Sequence, residues 1–210
     1  MGERRSDAKR RRILDAAFEH FLARGVAATS LEQVAETAGV SRQTIYAHFG
    51  GDSTTGGAKD TLFVAMVEDQ VGRDDDEPHP LVATIPWTDD LERDLATYAH
   101  HHLTLVMTPE LIRLRRTILG EAERFPLLAA TWFDQGPRRS IEMFADWFET
   151  LDDRGVLRAP EPMLAAETFN WLVLSTPLNE AMSLPDATTS RDLTRYADEA
   201  VRVFLAAYRS

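Results

Sequence analysis

The chain has 210 residues, 44% of them hydrophobic, and a net charge of −11. That length suits one large or two small domains with a proper core. The absence of cysteine excludes disulfides, zinc–thiolate sites and thiol nucleophiles. No apolar run reaches membrane-spanning length, and the arginine-rich beginning does not read as a signal peptide. A cytoplasmic protein with no membrane partner is therefore expected. The charge is uneven: residues 1–50 carry +2 and the remainder −13. This is the pattern of a phosphate-facing end on an acidic body.

In chain order, six basic side chains against one acid fill Arg4 to Arg12. Such a run reads as a solvated arm that adds salt-dependent phosphate affinity beside a recognition unit. A first helix follows, with Ile13, Leu14, Ala17, Phe18, Phe21 and Leu22 as its apolar stripe, and Gly25 ends it. Helical spacing returns at Leu31, Val34, Ala35 and Ala38. Thr29 and Ser30 each have a Glu or Gln three positions on, the capping-box pattern, and Gly39 suits a left-handed C-cap. Ser41 caps a second short helix, Arg42 to Phe49, which turns Ile45 back to the first. Two short helices about a glycine turn make a helix-turn-helix, whose second helix enters the DNA major groove. Its outer positions are Arg42, Gln43, Thr44, Tyr46 and His48. Arg and Gln can bond guanine and adenine edges, a Thr methyl can meet thymine, and Tyr and His suit phosphate oxygens. A polar-faced helical hairpin is the plainer alternative.

The wording AGVSRQTIYAHF, after a helix reading RRRILDAAFEHFLARG, resembles the TetR family of transcriptional regulators. The resemblance adds Thr29 and Lys59 to the DNA-binding set, Lys59 as a phosphate contact at the start of the fourth helix. Asp52 to Ala58, small and glycine-rich, is an insertion against the family pattern and is expected to form a mobile surface loop. The fourth helix is expected over 59–71, linking a DNA-binding domain at 1–58 to a second domain at 59–210. The acidic GRDDDEPHP that follows reads as a solvated loop.

Beyond Thr88 the pattern is helical throughout. One helix starts at Thr88 and carries Leu91, Leu95, Tyr98, His102 and Leu105 on one face. It stops before Pro109, which Thr108 caps into the next helix. Leu111, Leu114, Ile118, Ala122 and Phe125 point inward from there. Gly136-Pro137 is expected to kink or restart the following segment, and Pro177 to bend or break a later one. Phe144, Trp147, Phe148 and Leu151 lead to a C-cap at Gly155, and a last helix covers 191–208. The fold class is all-α, with no strand and no repeat. The pieces GEAERFPLL, GPRRSIEMF, RGVLR and AAETFNWLV are similar to the AefR-like C-terminal domain of TetR regulators. That resemblance implies ligand binding and a homodimer paired through the last two helices, where Phe204 is a candidate interface position.

Three consecutive histidines, His100, His101 and His102, project about 100° apart on a helix and cannot converge on one metal ion. No cofactor motif and no catalytic constellation stand out. Tyr98, His102, Met107, Trp132, Phe133, Trp147 and Phe169 are the candidate lining of an effector pocket, ordinary bundle core being the plainer role for each. The expected protein is a ligand-responsive regulator of a near-palindromic double-stranded DNA operator, a repressor by analogy, released by a small apolar or aromatic effector. A ligand-independent architectural DNA-binding protein is the alternative.

Overall fold

The computed structural model describes residues 2–50, 57–71, 88, 90–184 and 192–209, with side chains from residue 6 onward and none at 71. Most of Asp52–Ala58, together with GRDDDEPHP and Trp87, lies outside them. The described residues are helical apart from turns and one isolated bridge, Leu157 to Arg209. They form two compact units, Met1–Arg73 with Arg113–Trp132, and Asp74–Ile112 with Phe133–Ser210.

The first unit contains α1 (Gly2–Arg24), α2 (Leu31–Ala38), α3 (Arg42–Phe49) and α4 (Ala58–Val71). It also holds most of α6 (Pro109–Gly120) and of α7 (Pro126–Phe133). Ile13, Leu14, Ala17 and Phe21 of α1 are buried with Val34, Ile45, Leu62, Phe63 and Met66. Phe63 links the layers, edge-on to Phe21 at 5.7 Å and 5.4 Å from Phe125. The basic run is not a free arm, because α1 continues through it to Gly2. Its arginines have work within the unit: Arg10 lies over Phe49, and Arg11 pairs with Asp15 and reaches Asp69 on α4.

The second unit contains α5 (Leu91–Val106), α8 (Arg139–Asp153), α9 (Pro162–Ser183) and α10 (Leu193–Tyr208). Phe148, Phe169 and Phe204, all at 0% exposure, are its centre. Three boundaries differ from the sequence pattern. Helix α5 starts at Leu91 because Asp90 takes the cap, while the Thr88 hydroxyl bonds the buried Asp94 carboxylate at 2.8 Å. Gly136-Pro137 does not end the helix and restart it. A π-helical turn, Asp134–Arg138, joins α7 to α8, and its wider ring absorbs the residue that cannot donate. Pro177 does not break α9 either. Such a proline costs about 3 kcal/mol in an isolated helix. Here Phe169, Val173, Leu174, Leu178 and Ala181 are all buried along α9, and that packing outweighs the loss.

Candidate nucleic-acid interface and effector cluster

The helix-turn-helix is fixed by its caps. Ser30 accepts from the Gln33 N–H at 3.3 Å while the Gln33 side chain accepts from the Ser30 N–H at 3.0 Å, so Ser30 rather than Thr29 is the N-cap. Gly39, at φ +61°, ends α2 in the left-handed conformation. Ser41 then caps α3 by accepting from the Thr44 N–H at 3.2 Å. Gly50 closes α3, where any side chain would collide with the Tyr46 carbonyl. Ile45 and Phe49 are buried, so the helix can present only its opposite face.

That face carries Arg42, Gln43 and Tyr46 exposed, with Thr44 and His48 half-buried beside them. Gln43, Thr44 and His48 share an open concavity with Ser6 and Lys9 of α1. The sequence separates Lys9 from α3 by more than thirty residues, and only the packing of α1 puts its ammonium on this surface. Arg42 is oriented within the protein. Its Nη1 lies 2.6 Å from Glu32 of α2, and its Nη2 donates to the Tyr46 hydroxyl at 2.9 Å. The Glu32 carboxyl is held below its ordinary pKa, first by its own backbone N–H and then by the Arg42 charge. Glu32 was not legible as a site residue, since its spacing from Thr29 reads as a capping box, a role that Ser30 and Gln33 take instead.

Two residues of the expected DNA-binding set lie elsewhere. Thr29 is buried, and its hydroxyl donates to the Gly25 carbonyl at 2.9 Å, so its side chain shapes the loop before α2. Lys59 stands in the first turn of α4 and donates to the carbonyls of Ala27 at 3.1 Å and Thr29 at 3.2 Å. An ammonium has three N–H donors, and these bonds occupy two.

In the second unit an aromatic cluster gathers four of the expected effector residues. Tyr98 is stacked on His102 at 5.1 Å and lies 3.9 Å from Phe144 and 6.1 Å from Phe169. Trp147 meets Phe144 edge-on at 5.7 Å, and Met107 packs against the same core. The His102 Nε2 lies 3.1 Å from the Asn170 side-chain oxygen, so two polar groups sit in an otherwise apolar region. Burial pushes the Tyr98 hydroxyl far above the ordinary tyrosine pKa, so it stays a neutral donor. Trp132 and Phe133 do not join this cluster. Trp132 is packed under Arg115 in the first unit, and Phe133 is 43% exposed with Arg138 over its ring. Consecutive helical residues point about 100° apart, so the pair cannot line one surface. Among the described residues no group of His, Asp and Glu is placed to hold a metal ion, and no helix is long and apolar enough to cross a membrane.

A capped helix-turn-helix with a polar outer face, joined to a second helical unit, is the arrangement of a helix-turn-helix transcriptional regulator. Residues 13–52 match the family of bacterial regulatory proteins of the tetR type, and residues 93–210 match the AefR-like transcriptional repressor C-terminal domain. The chain belongs to the TetR family, whose members regulate transcription and are not enzymes. Among solved structures it is similar to a protein of Mesorhizobium loti described as a TetR-family transcriptional regulator. The two are 33% identical with a TM-score of 0.84, over 98% of this chain and 99% of that one. It is also similar to SmeT in complex with triclosan, at 28% identity and a TM-score of 0.62, over 97% and 92% of the two chains. SmeT is the repressor of the Stenotrophomonas maltophilia multidrug efflux pump SmeDEF. The HTH-type transcriptional regulator SrpR of Pseudomonas putida is 48% identical over 46 residues, a stretch that is 22% of each protein.

Proposed function

We propose that this chain is a homodimeric, ligand-responsive repressor that binds a near-palindromic DNA operator. The observation that carries the reading is α3: its buried side is fixed by Ile45 and Phe49, and its free side offers Arg42, Gln43, Thr44, Tyr46 and His48. Arg42, Gln43 and Thr44 read base edges, while Tyr46, His48, Lys9 and the third N–H of Lys59 hold phosphates. Thr29 serves by fixing the loop that Lys59 grips. Tyr98, His102, Met107, Trp147 and Phe169 receive an apolar or aromatic effector. The triclosan complex of SmeT supports that class, as does the mixture of aromatic faces and a neutral hydroxyl. The effector lowers operator affinity through its preference for one of two conformations. A cytoplasmic setting follows from the role.

The dimer is assigned to α9 and α10. Leu164 and Trp171, seven residues apart on one face of α9, are 51% and 54% exposed, and Val203 of α10 is 36% exposed. A stable homodimer interface is large and apolar at its centre, and these are the side chains that would supply it. Trp171→Glu is therefore expected to give a folded monomer, seen by light scattering, whose operator affinity falls sharply. An unchanged dimer would remove α9 from the interface.

Glu32 bears on the same interface. Its ion pair with Arg42 is solvent-exposed and contributes little to stability, yet it places a negative charge beside the phosphate-facing helix. Glu32→Gln is expected to raise affinity for DNA of any sequence several-fold, with Tm unchanged. Fluorescence anisotropy on a scrambled duplex checks this, and weaker binding would mean that Glu32 serves chiefly to orient Arg42.

A further inference from the structure

Arg115 of α6 is an arginine with no counter-ion among the described residues. Its side chain is half-buried, and its Nε is sealed from solvent with no hydrogen-bond partner. The guanidinium lies over Trp132 of α7, 5.1 Å from the ring centroid, and Trp132 is itself buried. Burial alone acts on its pKa, which is lowered, and no acid of the described residues pairs with it. Carboxylates are not scarce in a chain with 34 acidic and 23 basic residues. More exposed arginines of the same unit find them: Arg124 takes both oxygens of Asp60 at 2.8 and 2.7 Å, Arg42 takes Glu32, and Arg11 takes Asp15.

An isolated charge in such a place costs free energy that a Met or Leu would not. A guanidinium is also the cation whose planar fork matches a carboxylate through two parallel bonds. The Trp132 face and the buried Leu128, one turn before it on α7, add apolar surface beside that fork. We propose that Arg115 and Trp132 form a recognition site for the carboxylate end of a small apolar or aromatic acid. This rests on the reading of the chain as ligand-responsive; the site is separate from the Tyr98 cluster, and the ligands it takes are anionic. A phosphate dianion fits less well, because one guanidinium in an apolar setting balances a single charge.

The test uses the full chain, with 1-naphthoate and its uncharged counterpart 1-naphthamide as probes, followed by calorimetry. Wild-type protein is expected to bind the acid at least about tenfold tighter than the amide, the scale of charge-assisted hydrogen bonds. In Arg115→Met, and separately in Arg115→Gln, that preference disappears, while the Tm without ligand is no lower than wild type. The proposal is overturned if the acid binds no tighter than the amide or not at all at millimolar concentration. It is equally overturned if the preference survives both substitutions, or if both variants melt well below wild type, which would make Arg115 structural. Operator release separates this from the broader reading. Arg115-dependent binding of the acid with unchanged operator affinity upholds the anion site and sinks effector control. Equal binding of acid and amide with operator release does the opposite.

Discussion

Phe204→Glu is expected to unfold the helical unit around Phe148 and Phe169, not to split a dimer. The apolar face of α10 suggests Phe204 as a pairing residue, but in the structure it is fully buried within its own chain. Its ring stacks on Phe148 at 5.0 Å and on Tyr208 at 4.5 Å, and lies 4.9 Å from Phe169. Truncating such a ring to Ala costs about 3–5 kcal/mol. A carboxylate in its place adds the penalty of an unpaired buried charge, enough to exceed the whole stability of many domains. The predicted signature is loss of helical circular dichroism and aggregation, against the folded monomer of Trp171→Glu. A folded, helical Phe204→Glu protein would contradict the packing described for α8, α9 and α10.

The double variant Arg42→Ala, Gln43→Ala is expected to abolish sequence preference while leaving the fold intact. Each side chain is exposed, so its removal opens no cavity. Each correct base contact contributes about 1–3 kcal/mol of discrimination, so losing two brings operator affinity close to that for random duplex. Residual binding through Lys9, Tyr46 and Lys59 should keep a steep salt dependence, because phosphate contacts act through counterion release. Anisotropy titrations on operator and scrambled duplexes, at two salt concentrations, read both effects. Unchanged discrimination would remove α3 from base reading.

The elements that local chemistry controls were the ones legible in the sequence. Ser30, Gly39 and Ser41 mark the ends of α2 and α3 because caps and glycine turns act over three or four residues. Gly155 marks the end of α8 in the same way, with φ at +67°. Tertiary choices were not legible. The contact of Asp60 with Arg124 joins residues 64 apart, and nothing in either neighbourhood announces the other. The Glu32–Arg42 pair and the Lys9 wall beside α3 are of the same kind. Pro177 reads as a breaker because proline's cost is local while the burial that overrides it is spread over a 22-residue helix. Trp132 and Phe133 both read as pocket lining, yet helix geometry sends them to different surroundings.

Selecting bound duplexes from a random pool with the wild-type chain asks whether α3 of a two-fold dimer reads DNA sequence. Enrichment of a near-palindrome whose half-sites lie about one helical turn apart, roughly 34–36 Å, is expected, with no such enrichment by the Arg42→Ala, Gln43→Ala protein. A pool that stays random under wild-type selection, or the same motif enriched by the double variant, would contradict that reading.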